Sequence, residues 1–306
     1  MNPTRLFLLT LLAMIAFAGN SLLCRLALRE TVIDAASFTF VRIFSGAVAL
    51  WLITRIRKGL LTRGTVFLSA DGLSQDRAGS AGNWISALAL FVYAAAFSFA
   101  YINLSAGTGA LLLFGAVQAT MIVWGLHKGE PLHLLQLGGL ALALAGLVVL
   151  LLPGLSAPRL SGSILMMAAG VSWGIYSLRG RSERNPAAAT TGNFMRAVPF
   201  AAILSLAFFP WTNIDRSGAA YAVASGAIAS GLGYVIWYIA LPELRAASAA
   251  TVQLSVPVLA AAGGIILLGE PLTLRYLFAS IAVLGGIALV VMNPFQQPSP
   301  GHRGSG

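Results

Sequence analysis

Long apolar runs make up most of this chain, separated by short stretches that carry charge, glycine or proline. Ten of the runs reach about the 20 residues that a bilayer-spanning helix needs: 5–24, 36–54, 84–103, 106–126, 133–152, 162–180, 189–209, 218–240, 244–267 and 272–292. The pattern predicts an all-α polytopic membrane protein with ten transmembrane helices. Composition agrees, since 58% of the residues are hydrophobic and only 9% are charged, against roughly a quarter charged in a soluble domain. Arg5 before the first run and Ala16-Phe17-Ala18 within it have the outline of a cleavable signal peptide. The internal repeat described next uses that run as a helix.

The net charge of +10 does not point to nucleic acid, because the basic residues are spread over short connections and form no basic run. Their distribution reads as topology. With a cytoplasmic N-terminus, Arg5, Arg55, Arg57, Lys58, Arg63, Arg77, Lys128, Arg179, Arg181, Arg184, Arg245 and Arg303 lie inside, and Arg25, Arg29, Arg159, Arg216 and Arg275 lie outside. That excess predicts both termini in the cytoplasm, with the loop at 55–83 supplying most of it. The single cysteine, Cys24, excludes an internal disulfide.

The tetrapeptide Gly-Glu-Pro-Leu occurs at 129–132 and again at 269–272. A shift of 140 residues superposes the two copies and also lays Ala106 on Ala246, Ala110 on Ala250, Leu134 on Leu274 and Gly146 on Gly286. Earlier segments match at a shift near 155, where Gly19 meets Gly174 and Arg42 falls one residue from Arg196. The chain therefore divides into a first five-helix repeat at 1–152, a linker at 153–161, a second five-helix repeat at 162–292 and a disordered tail at 293–306. Five is odd, so the second repeat enters the membrane from the opposite side and the repeats are inverted, a common plan of secondary transporters. Glu130-Pro131 and Glu270-Pro271 suit helix starts, where a missing N–H is harmless and a carboxylate favours the positive helix end. The other reading of the two glutamates is gating or ion contact.

The stretch "AASAATVQLSVPVLAAAGGIILLGEPLTLRYLFASIAVLGGIALVV" (246–291), with Pro257 midway along helix nine, closely resembles the EamA family of the drug/metabolite transporter superfamily. "IAFAGNSLLCRLAL" (15–28) and "FVRIFSGAVAL" (40–50) resemble the first two helices of such proteins. Ten helices in two inverted repeats, and export of amino acids or carriage of other metabolites, are what the resemblance implies. Val117 stands where the repeat would place a partner for Pro257, so a symmetric proline hinge is not implied.

Ionisable residues inside a membrane helix are functional candidates, and Arg42 and Arg196 are the two here. Either they steady gates or attract an acidic substrate group, or they snorkel to the helix ends. All nine acidic residues map to loops or helix ends, which disfavours proton exchange for a cationic drug through a buried carboxylate. Asn20, Trp173, Tyr176, Trp237 and Gln253 are the candidates for the substrate pathway. They are polar or aromatic groups on faces where small residues such as Gly170 and Gly174 bring helices close. Their alternative is glue between helices or an interfacial belt. His127, Glu130 and His133 do not make a metal site, because Pro131 breaks the helix that would align them and no fourth ligand is near.

The expectation is a transporter and not an enzyme. It needs no cofactor, moves a small molecule across the bacterial inner membrane by alternating access, and exports amino acids or related polar or amphipathic compounds. A proton or other ion is a possible coupling partner, and nucleic acid is not a partner. The rivals are a non-transporting membrane scaffold or subunit, and a membrane-embedded lipid-modifying enzyme, which would need clustered acids or histidines that the chain lacks.

Overall fold

A computed structural model describes residues 2–64, 82–129, 134–152, 157–180, 183, 185–240, 243–244 and 252–292. Glu130, Pro131, positions 153–156 of the expected linker, 65–81 of the expected loop and the tail at 293–306 lie outside the described residues. The described residues form helices and no strands: α1 (Pro3–Glu30), α2 (Ala35–Gly64), α3 (Trp84–Tyr101), α4 (Ala106–His127), α5 (Leu134–Leu151), α6 (Leu160–Gly180) and α7 (Pro186–Ala207). Then α8 (Arg216–Val223) runs through a π-helical stretch (Ala224–Leu232) into α9 (Gly233–Ala240), followed by α10 (Ser255–Leu268) and α11 (Leu274–Met292).

Seven helices are long and apolar enough to cross a membrane by length and composition: α1, α2 as far as Ile56, α3, α4, α5, α6 and the continuous rod Arg216–Trp237. Ser255–Leu268 and Leu274–Leu289 are shorter apolar helices. Between its ends α7 carries Thr190, Thr191, Asn193 and Arg196, which lower its hydropathy, and it is not among the seven. Leu8, Val148, Leu206, Ile228 and Ile266 are exposed on the outside of the bundle, a surface suited to lipid and not to water.

Several ends differ from the expected spans. No proline interrupts α2, which runs on to Gly64, so 55–64 is helix and not loop. Asn2 caps α1 through its side chain, with Pro3 in the first turn, and the helix carries Arg25 and Arg29 on its last turns. Pro257 lies in the first turn of α10, not midway along it. Its missing N–H removes no hydrogen bond there.

The helices pair in matched sets. α5 packs along α11, α2 along α7, and α4 against α10; α3 packs on α6 and α7 as α9 packs on α1 and the π-helical stretch on α2; α6 packs on α4 as α1 packs on α10. Small residues make the approaches possible. A Cβ on Gly226 would lie 2.0 Å from the Arg42 carbonyl oxygen, and one on Gly170 would lie 2.5 Å from that of Leu113. The Gly170 and Gly174 face of α6 thus closes on α4.

The repeated glycines share a conformation, since Gly129 has φ +85° and Gly269 φ +61°, a left-handed turn that glycine adopts without strain. At the second copy this turn sends Glu270 back into the bundle instead of along its own helix. Its carboxylate accepts from the Ala106 N–H at 2.8 Å and from Arg25 Nε at 3.2 Å, so Glu270 caps α4 and not α11. Arg25 also donates through Nη1 to the carbonyl oxygens of Tyr101 at 2.8 Å and Ile102 at 3.2 Å. One buried pair thereby ties α1, the α3–α4 corner and the start of the α11 segment. Pro271 follows on the exposed side of the turn.

Two stability outcomes follow from this packing. A methyl on Gly286 would lie 2.3 Å from the Gly139 carbonyl oxygen and 2.6 Å from the Ala143 nitrogen, whereas Gly285 has open space around it. Gly286→Ala should therefore cost about 1–3 kcal/mol, the range for overpacking, and Gly285→Ala should be silent when both are melted in detergent. Glu270 is 8% exposed and Arg25 15%, so removing either partner strands a buried charge at a cost of about 3–5 kcal/mol. The double substitution Arg25→Ala with Glu270→Ala should lower the melting midpoint by less than the sum of the single ones.

Candidate functional site

The middle of the bundle holds a charge. Arg42, on the second turn of α2, is 2% exposed, and its Nη2 donates to the Tyr93 hydroxyl at 2.9 Å. Its guanidinium carbon lies 4.8 Å from the ring centre of Phe97 and 5.2 Å from that of Tyr93. Nη1 has no hydrogen-bond partner. Guanidinium stays protonated in proteins, so this is a cation held by a phenol and two ring faces. Cation–π contacts contribute about 0.5–2 kcal/mol, less than the several kcal/mol that taking an ion out of water costs.

A polar chain runs on from Tyr93. Asn20 Nδ2 donates to the same Tyr93 oxygen at 3.1 Å, and the Ser225 hydroxyl donates to Asn20 Oδ1 at 2.6 Å. These four residues join α2, α3, α1 and the π-helical stretch. A π-helical segment widens the backbone ladder and recurs at functional sites; here it carries Ser225 to the centre.

Beside this chain lies a cavity lined by Phe17, Asn20 and Ser21 of α1, Tyr93 and Phe97 of α3, Leu113 and Phe114 of α4, Trp173 of α6, Ala229 of the π-helical stretch and Tyr234 of α9. Trp173 is its aromatic hub, with ring centres 4.9 Å from Tyr93, 5.0 Å from Tyr234 and 5.4 Å from Tyr176. The space open to the centre of a water molecule is about 20 Å³. That holds a water but falls far short of the roughly 300 Å³ of a small-molecule pocket. The cavity is closed in this conformation.

The two faces of the bundle differ. Where α3 meets α4 and α10 meets α11, a vestibule of about 260 Å³ is lined by Asn103, Thr108, Glu270, Thr273 and Tyr276, among others. On the opposite face Ser86, Tyr176, Arg179, Glu183, Thr190 and Asn193 enclose only about 10 Å³. There Arg179 donates to Ser86 Oγ at 3.0 Å and Asn83 Oδ1 at 3.2 Å, and the Asn83 N–H donates to Asn193 Oδ1 at 2.8 Å.

Of the expected pathway residues, the structure brings Asn20 and Trp173 to the cavity. Tyr176 is buried at the closed face and stacks on Trp173. Trp237 packs edge-on to Phe17, ring centres 6.0 Å apart, behind the cavity wall. Gln253 is helical, just before the turn at Leu254 that precedes α10, and does not line the cavity. Arg42 is buried and stands at neither face, because α3 and the π-helical stretch cover its turn of α2. Arg196 is half-buried, and its Nη1 donates to the Gly192 carbonyl oxygen at 3.1 Å. The sequence reading missed Tyr93, Ser225 and Tyr234. It also left Arg25 and Arg179 as loop charges, although each is within a turn or two of a span end and bonds across helices.

The family models match residues 160–292 to the EamA-like transporter family. An uncharacterized protein of Pseudomonas aeruginosa is 55% identical over 95% of this chain and 96% of its own length. The threonine/homoserine exporter RhtA of Escherichia coli is 36% identical over 47% of this chain and 50% of its own. A crystal structure only 19% identical superposes with a TM-score of 0.62 over 96% of this chain and 99% of that one, so the fold is shared. The chain belongs to the EamA-like transporter family, a multi-pass membrane transporter of small molecules and not an enzyme.

Proposed function

We propose that the chain exports amino acids or related small polar and amphipathic metabolites across a bacterial inner membrane by alternating access. Two inverted five-helix repeats, residues 1–152 and 162–292, move against each other around the central cavity, with ten crossings and both termini cytoplasmic. The observation that carries this reading is the lining of the cavity. Phe17, Asn20, Tyr93 and Phe97 come from the first repeat, and Trp173, Ala229 and Tyr234 from the second. Relative motion of the repeats therefore opens or closes it.

The matched helix pairings support an inverted repeat, since the main contacts between the halves come with the roles exchanged: α3 on α6 as α9 on α1, α3 on α7 as the π-helical stretch on α2, and α4 on α6 as α10 on α1. The pair Arg25–Glu270 borders the wider vestibule, and the Arg179–Asn83–Asn193 cluster seals the narrower one. In this reading the two clusters belong to opposite gates, with Arg196 steadying the α7 end near the second. The name of the Escherichia coli relative supports amino acids as cargo.

Counterflow in proteoliposomes tests the proposal without knowledge of a coupling ion. Vesicles loaded with one unlabelled amino acid should accumulate the same labelled compound from outside, for at least one member of a panel that includes threonine and homoserine. Trp173→Ala should lower that uptake by about tenfold, the effect of losing one large aromatic contact, while the protein stays folded in detergent. Empty traces across the panel from folded protein would refute export of amino acids.

A further inference from the structure

We propose that Arg42 is the receptor for a substrate carboxylate, so that the central site selects small monocarboxylates, amino acids among them, over the corresponding amides, in which an uncharged carboxamide replaces the carboxylate. This rests on the transport reading above and names the chemical group that the same site recognises.

Among the described residues, Arg42 is a buried charge with no carboxylate beside it. The contacts of Arg42 are the Tyr93 hydroxyl and the rings of Tyr93 and Phe97, and the other titratable groups near it are Tyr234 and Cys24. None of these is a carboxylate. No described acidic residue pairs with it; Glu270, which is buried, is taken by Arg25 and the α4 N-terminus. A guanidinium cannot lower its cost by deprotonating, and one of its two terminal nitrogens has no partner. Buried cations of this kind mark substrate or ion pathways.

The donors also converge. Arg42 Nη2 and Asn20 Nδ2 both point at one oxygen, 2.9 Å and 3.1 Å away, and that oxygen belongs to a neutral phenol. Asn20 is held in this orientation because its own oxygen is engaged by Ser225. Two N–H donors aimed at one acceptor, with a third donor idle on the same guanidinium, suit a carboxylate better than a phenol. In the opened site the carboxylate takes over the two donors and Nη1, and the Tyr93 hydroxyl turns to donate to it. The residues lining the cavity include no cation; with Arg42 behind Tyr93 and Phe97 as the positive group, a single negative charge matches the site and a phosphate dianion does not.

The test compares acids with amides in wild-type protein. Counterflow of labelled leucine, threonine or phenylalanine is challenged from outside with the unlabelled acid or with the corresponding amide. The amides should compete at least about tenfold more weakly, the loss expected when a charge-assisted hydrogen bond is forfeited. Arg42→Gln should abolish the counterflow and Arg42→Lys should retain part of it. If Arg42→Gln does not fold, the wild-type comparison decides alone. Equal competition by acid and amide would overturn the proposal and leave the transport reading standing. Absence of counterflow for every acid would overturn both.

Discussion

A guanidinium buried in the middle of a lipid-facing bundle, with no carboxylate beside it among the described residues, is the constraint around which the rest of this molecule is arranged. Taking such a charge out of water costs several kcal/mol, and Arg42 recovers part of it from a phenol and two ring faces. Those groups need their own positions. Tyr93 is fixed by Asn20, Asn20 by Ser225, and Ser225 reaches the centre because Gly226 lets the π-helical stretch touch α2 at the Arg42 carbonyl. Aromatic packing from Trp173 and Tyr234 closes the ring. Each of these contacts spans two helices, so the centre and the helix packing are one problem.

The polar ties at the two faces are built from different chemistry. At one face an ion pair, Arg25–Glu270, is capped by the start of α4 and borders a roomy vestibule. At the other, Arg179 bonds uncharged Ser86 and Asn83, and the space beneath is nearly filled. An ion pair out of water is hard to break one partner at a time, and hydrogen bonds from a charged donor such as Arg179 contribute about 1.5–3 kcal/mol each. The faces of the bundle thus differ in how open they are.

Much of the fold was legible because a bilayer imposes length and apolarity on every crossing, and the repeat of Gly-Glu-Pro-Leu marked equivalent turns. The left-handed glycines at 129 and 269 agree with that reading. The direction of the Glu270 side chain was not legible, because a carboxylate beside a helix start satisfies the same rule whether it caps its own helix or a neighbour. The candidates Asn20 and Trp173 reached the cavity because mid-depth polar and aromatic groups next to small residues have few other places to go. Nothing in the sequence distinguishes Tyr93 from an interfacial tyrosine, since depth along a helix says nothing about which neighbour covers it. Gln253 stands one turn before Pro257, but that spacing opens a backbone carbonyl only inside a continuous helix, and α10 begins just two residues before the proline.

The most direct test of alternating access is the reactivity of paired cysteines. Native Cys24 is wholly buried, so single cysteines placed at Thr108 in the vestibule and at Thr190 on the closed face can be read against a quiet background. Addition of a saturating amino acid that supports counterflow should change the rates of labelling by a water-soluble maleimide in opposite directions at the two positions. Rates that stay fixed, or that rise or fall together, would contradict a site exposed to one side at a time.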